Sequence, residues 1–208
     1  MASTNPVGIP WQPFTPMEVA AILRPLQCPW WIAGGHAIEH AAGGPLRPHG
    51  DVDVLILRRN LNAVRDLLAH WDFWAADPPG TLRPWQVGET LPDSVHDVWL
   101  RPNPAAAWKM QLMLDGAVGD VWVSRRDGRI RRPVASLTAA ASPHIPFLAA
   151  EIVLFYKARA PRPKDVWDLT AVWPALSPSQ RYWLADAVRT AYGAPSPWYE
   201  FLAPMMSR

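Results

Sequence analysis

Asp51 and Asp53 stand one residue apart at the head of the apolar run 52–57. In an extended chain alternate side chains share a face, so the two carboxylates point the same way. Such neighbours repel and raise each other's pKa unless a cation joins them. A divalent ion held by few carboxylates and by substrate phosphates is the magnesium arrangement. Upstream, the pair Gly34-Gly35 opens a helical segment. Glycine there permits close backbone approach, and the N–H groups of a helix start receive phosphate readily. A metal pair beside a phosphate cradle is the outline of a phosphoryl-transfer site.

The ordered frame reads Gly34-Gly35-His36-Ala37-Ile38-Glu39, then Arg47-Pro48-His49-Gly50-Asp51-Val52-Asp53. It resembles the nucleotidyltransferase superfamily of polymerase-beta-like fold. Within it, the frame is most similar to aminoglycoside and lincosamide adenylyltransferase-like proteins, which read Gly-Gly-x-x-Ile-Asp and Arg-x-His-x-Asp-x-Asp. Glu39 departs from that pattern. The resemblance implies a magnesium-dependent enzyme that moves a nucleoside monophosphate, AMP from ATP, onto a hydroxyl of a small molecule. It makes Asp51 and Asp53 the catalytic, metal-binding pair and sets Gly34, Gly35, His36, Arg47 and Lys157 beside the nucleotide.

The resemblance also implies a third carboxylate on a neighbouring strand, binding metal or taking the hydroxyl proton. Asp97 is the first choice, because an acid inside the apolar run 95–100 needs a reason to be there. Asp115 and Asp120, each next to a glycine, stay open as alternatives, and Gln111 lies where an acid would suit the pattern. A second run, Tyr156-Lys157-Ala158-Arg159 followed by Lys164-Asp165-Val166-Trp167-Asp168, is similar to one in adenylyltransferase-like relatives, abortive-infection toxin families included. Asp165 and Asp168 fall one helical turn apart, on one face.

Two other readings compete. His36-Ala37-Ile38-Glu39-His40 fits the inverted zincin pattern and would make a zinc metallopeptidase. It lacks an assignable third ligand and leaves Asp51 and Asp53 unexplained. A catalytically degenerate nucleotide-binding or toxin/antitoxin-type module draws support from Glu39 and from the open third acid.

Composition narrows the partners. With 208 residues, half of them hydrophobic, the chain suits one large domain or a domain with a helical appendage. A net charge of +2 leaves no usual nucleic-acid footprint. Arg125, Arg126, Arg129, Arg131 and Arg132 cluster, facing a triphosphate or forming a solvated hairpin edge. Glu89, Asp93 and Glu151 are available to a cationic acceptor. The single Cys28 fits a reducing cytoplasm, and neither a membrane span nor a secretory signal is apparent. The 13 tryptophans are spread along the chain and read mainly as core, and the 24 prolines predict short elements with stiff connections. Surface aromatics permit a homodimer.

These parts require an α+β fold: a mixed sheet catalytic domain over 17–140 and a helical region over 146–208, joined near 138–146. Thr15-Pro16 predicts a helix start. Strands are expected at 30–33, 52–57, 73–76, 95–100 and 109–114, with hairpin turns at Asp115-Gly116 and Asp127-Gly128. Helices are expected at 36–42, 60–70, 148–159, 164–172 and 178–192.

Overall fold

The computed structural model describes residues 8–139, 144–193 and 196–202. Residues 1–7 and part of the expected junction at 138–146 lie outside the described residues. The chain is α+β with a mixed sheet, as its sequence predicts. Its first elements are α1 (Pro16–Leu23), β1 (Trp30–Ile32), α2 (Gly34–Ala42), β2 (Asp53–Leu57), α3 (Leu61–Leu67) and β3 (Asp72–Ala76). The strands β4 (Leu82–Pro84), β5 (Asp97–Arg101), β6 (Met110–Val118), β7 (Val121–Val123) and β8 (Arg131–Pro133) follow. The last elements are α4 (Ala150–Lys157), α5 (Pro163–Val172), α6 (Pro178–Ala191) and α7 (Tyr199–Leu202). Contacts gather the chain into two compact units, one ending at Trp30 and resuming over His49–Asp115, the other taking Trp31–Pro48 and the chain from Gly116 onward.

In the first unit the strand order is β2-β6-β5-β3-β4. β2 runs parallel to β6, Asp53 opposite Gln111, and the remaining pairs are antiparallel. Along β6, Met110, Leu112 and Leu114 are buried while Gln111 and Met113 are half-exposed, the period of two expected of a strand with one covered face. Val98 and Leu100 on β5 and Val54 and Ile56 on β2 complete the covered face. α1 starts as predicted: the Thr15 hydroxyl accepts from the Glu18 amide, the Glu18 carboxylate accepts from the Thr15 amide, and Pro16 occupies the first turn. Ahead of it, residues 10–14 are tied down by backbone bonds, from Trp108 N–H to Pro10 and from Gln12 and Phe14 to Trp108 and Lys109. Arg101 is buried at 1% exposure, bonded to Asp72 at 2.7 Å and lying 4.6 Å from the Trp108 ring centre.

In the second unit β7 and β8 form a hairpin, and β7 also pairs with the Gly116–Val118 end of β6. Asp115-Gly116 is therefore no turn. The ladder partners Leu57 for Asp115 and Val123 for Gly116 hold the strand extended, and the chain reverses at Gly119, whose φ of +54° suits glycine. α2 packs on α4 and α5, and α4 packs on α6. α4 begins later than expected because Leu148 is held extended, its N–H donating to the Ile32 carbonyl at 2.8 Å. α3 stops at Leu67 because Leu68 leaves helical backbone and its carbonyl accepts from Trp71 in a turn. α6 carries its Ser177 cap as predicted, and Gly193 follows it at φ +59°. No helix among the described residues is long and apolar enough to cross a membrane.

Asp72→Ala should strand the buried Arg101 charge and lower unfolding free energy by about 3 kcal/mol in urea titrations. A loss under 1 kcal/mol would show that the tryptophan faces alone stabilise the guanidinium.

Candidate active site

Strand pairing in the first unit brings the expected acids onto one surface. Cross-strand partners share a face, so Asp53, Gln111 and Trp99 form one row and Met113 with Asp97 the next. Asp97 on β5 accepts a hydrogen bond from the Gln111 amide, Nε2 to Oδ1 at 3.1 Å. Asp97, Gln111, Asp53 and Trp99 are all half-exposed, which marks this side of the sheet as open around them. Asp51 precedes β2 and is exposed, and the Val52 carbonyl between the two acids accepts from Gln111 N–H at 2.9 Å.

The alternatives to Asp97 sit elsewhere. Asp115 has the same parity on β6 but lies two rows beyond Gln111, roughly 13 Å along the strand. It is buried at 1% exposure, whereas Asp120 is exposed in the second unit and its carbonyl accepts from Val134 N–H. Asp51 and Asp53 offer carboxylate oxygens, which suit a hard cation such as magnesium and not a thiolate-seeking metal; Asp97 stands two strands and one row away from Asp53.

In the second unit, α2 starts on the glycine pair itself, two residues earlier than expected. Gly34 has φ +59°, a left-handed conformation that a side chain would strain. The helix start receives no side-chain cap, so its first N–H groups are not claimed by a capping residue. His36 Nδ1 lies 3.8 Å from the Glu39 carboxylate. Glu39 Oε1 accepts from the backbone N–H groups of Leu46 and Arg47 at 2.8 and 3.1 Å, closing the loop after α2. His40 stacks on Phe147 at 4.2 Å, and burial pushes its pKa down. Loop closure and ring stacking thus account for Glu39 and His40 in the His-x-x-Glu-His run.

Arg47 and Lys157 meet on Asp168. The Arg47 guanidinium donates through Nε and NH2 to the two Asp168 oxygens at 3.2 and 3.1 Å. Lys157 Nζ bridges Asp168 at 2.9 Å and Asp165 at 2.6 Å, and Arg162 also bonds Asp165. Three cations thus share two carboxylates that are 1% and 2% exposed. Burial opposes the charge on each, but the bonds from Arg162 and Lys157 to Asp165, and from Arg47 and Lys157 to Asp168, outweigh it and hold both below the usual carboxylate range.

The arginine group of the β7–β8 hairpin separates. Arg132 bonds Glu151 at 2.7 Å, Arg129 bonds Asp127, and Arg125 lies 5.0 Å from the Tyr156 ring centre. Of the acids available to a cationic acceptor, Glu151 is bound by Arg132 and Gln180, Glu89 by Arg83 at 2.6 Å, and Asp93 lies 3.8 Å from Arg58. Sequence reading passed over Trp11 and Trp99, which line a cavity with Asp97. Trp99 was legible, because it stands two residues from Asp97 and so on its face. Trp11 was not, since no periodicity reports a contact across nearly ninety positions.

Residues 16–79 match the family model of aminoglycoside-2''-adenylyltransferase. The fold is that of the lincosamide antibiotic adenylyltransferase LnuA in its lincomycin-bound crystal structure, at a TM-score of 0.52 and 11% identity over 77% of this chain and 95% of that one. The solution structure of antibiotic-resistance factor ANT(2'')-Ia aligns at a TM-score of 0.45 and 18% identity, over 86% of this chain and 91% of that one. Comparison with curated proteins finds no match. The resemblance read in the glycine and aspartate motifs is borne out by the family-model match and by the shared fold.

Because Asp165 and Asp168 are depressed in the folded chain, the stability they confer is present above the unfolded carboxylate pKa and is lost as pH falls through their folded values. Urea midpoints should therefore drop as pH falls below about 4. The gap between wild type and Asp168→Asn should shrink in the same window; a gap independent of pH would mean that the pairing is not ionic.

Proposed function

We propose that this chain, an adenylyltransferase-like protein of the nucleotidyltransferase fold, transfers AMP from ATP to a hydroxyl group of a small-molecule acceptor. The observation that carries this reading is the arrangement of Asp53, Gln111 and Asp97 on the open side of the sheet. Asp51 and Asp53 would hold magnesium; the ion, when bound, would neutralise charge on the phosphate oxygens. The start of α2 at Gly34 and Gly35, with His36 in its first turn, is suited to receive phosphate through its N–H groups. Arg47 and Lys157 contribute positive charge from a network with more cations than carboxylates.

In the reaction the acceptor hydroxyl oxygen attacks the α-phosphorus, and the bond from that phosphorus to the bridging oxygen breaks. Pyrophosphate leaves with the electron pair, and the acceptor keeps the AMP as a phosphodiester. Asp97 would take the hydroxyl proton, a role supported by its Oδ1 bond from Gln111, which leaves Oδ2 to face the acceptor. The matched family model names aminoglycosides and the fold relative names lincosamides, which favours an antibiotic acceptor and a role in resistance. The lone Cys28 suits a reducing cytoplasm, where ATP is at hand.

Calorimetric titration with a nonhydrolysable ATP analogue should show binding that needs magnesium and disappears in Asp53→Asn. Asp97→Asn should keep that binding and lose roughly 10²–10⁴-fold in pyrophosphate release with acceptor. Binding of equal strength in Asp53→Asn and in chelator would end this reading.

A further inference from the structure

A cavity of about 550 Å³ opens in the first unit beside Asp97, within the size range of small-molecule sites. Asp97, Gln111 and Trp99 lie at its sheet side, and Ile9, Trp11 and Leu82 belong to the rest of its lining. It is built rather than incidental. Backbone bonds to Trp108 and Lys109 fix the segment carrying Trp11, and Trp11 meets Trp99 edge to face with ring centres 4.9 Å apart. Trp99 in turn packs against the buried Trp108 at 5.6 Å. The two rings are thereby held in place before any ligand arrives.

Its chemistry selects the ligand. Asp97 is the single carboxylate in the lining. Of the other acids nearby, Asp53 beside Gln111 is given to the metal in the reading above, Asp77 and Glu89 are engaged by Arg83 at 2.8 and 2.6 Å, and Asp72 by Arg101 at 2.7 Å. A ligand with several ammonium groups would lose water from them here without gaining carboxylate partners, a costly exchange. A saturated ring, by contrast, finds two indole surfaces and aliphatic neighbours, with a carboxylate to receive one hydroxyl. A second cavity, about 560 Å³ beside Arg47 and Trp167, fits an acceptor less well, because its carboxylate, Asp168, is already bridged by Arg47 and Lys157.

We infer that the cavity between Trp11, Trp99 and Asp97 is the acceptor site, and that it takes a neutral or singly charged acceptor with a sugar-like ring and not a polycationic aminosugar. This inference rests on the transferase reading above and names its substrate class.

The test is calorimetry with lincomycin, which carries a sugar and one amine, and with tobramycin, which carries several amines. Each is titrated into the full chain holding magnesium and the nonhydrolysable ATP analogue. Lincomycin should bind, weakened roughly tenfold in Trp11→Ala and in Trp99→Leu and restored by Trp99→Phe, while tobramycin should not bind. Trp11→Ala carries the test alone if Trp99→Leu fails to fold. Tighter binding of tobramycin, lincomycin binding indifferent to Trp11→Ala, or no binding of either probe would overturn the assignment. So would a tenfold loss of ATP-analogue binding in Trp11→Ala, which would make this the nucleotide's pocket. Pyrophosphate release from ATP, followed in parallel, separates the two ideas. Trp11-dependent lincomycin binding without release would sink the transferase reading and keep the cavity; release with tobramycin alone would do the reverse.

Discussion

Burial of Val54, Leu112, Leu114, Val98 and Leu100 on one side of the sheet fixes, through the two-residue period of a strand, what stands on the other. A slip of one residue in β6 would turn Gln111 inward and Leu112 outward, so the apolar set locks the register. The register then decides the chemistry. It sets Gln111 opposite Asp53 and opposite Trp99, and it leaves Asp97 one row on, within reach of the Gln111 amide. Further along the face of Asp53 and Gln111, Leu55, Leu57 and Asp115 are buried. The open part of the face is thus confined to the rows that carry the acids, the amide and the tryptophan.

Charges inside the two units answer to a different constraint, that a buried ion must be matched. Asp165 and Asp168 lie under Lys157 with Arg162 and Arg47, Glu151 lies between Arg132 and Gln180, and Arg101 lies against Asp72. Such pairs contribute little net stability relative to apolar packing, but losing one partner is costly. In the second unit the network ties the end of the Glu39-closed loop, at Arg47, to α4 and α5. Glu39 has the length to reach the Leu46 and Arg47 amides from its place on α2. The departure from aspartate at that position is thus occupied by a structural task, and it lends no weight to lost catalysis.

Much of this was legible in the chain. Thr15-Pro16 and Ser177-Pro178 announced their helices through capping chemistry, which is local and so readable. The resemblance carried by Asp51, Asp53 and the glycine pair was readable for the same reason, since a few adjacent residues specify it. The misreadings arose where distant partners override local preference. Asp115-Gly116 has turn composition, yet the ladders on either side keep it extended. Leu148 has helical neighbours, yet Ile32 holds it as a strand. The ion pairs of Lys157 with Asp165 and Asp168 have no local signature either, and only the fold shows them. Trp11 reads as one more tryptophan in a tryptophan-rich chain, and only packing sets it against Trp99.

Gln111 shows why the third acid need not sit beside the pair. A carboxylate in its place would stand about 5 Å from Asp53 across the ladder and add a third like charge to a crowded point. The amide adds none, and its donor orients Asp97 through Oδ1. An acid at Asp97 stands two strands across and one row along from Asp53, which spaces their backbones by roughly 12 Å. That spacing leaves Asp97 at the edge of the cavity shared with Trp99 and Trp11. On the transferase reading, a base on that edge would meet the acceptor hydroxyl, whereas a base beside Asp53 would compete with it for the metal. On the transferase reading proposed above, the amide in β6 would separate proton transfer, at Asp97, from metal binding, at Asp51 and Asp53.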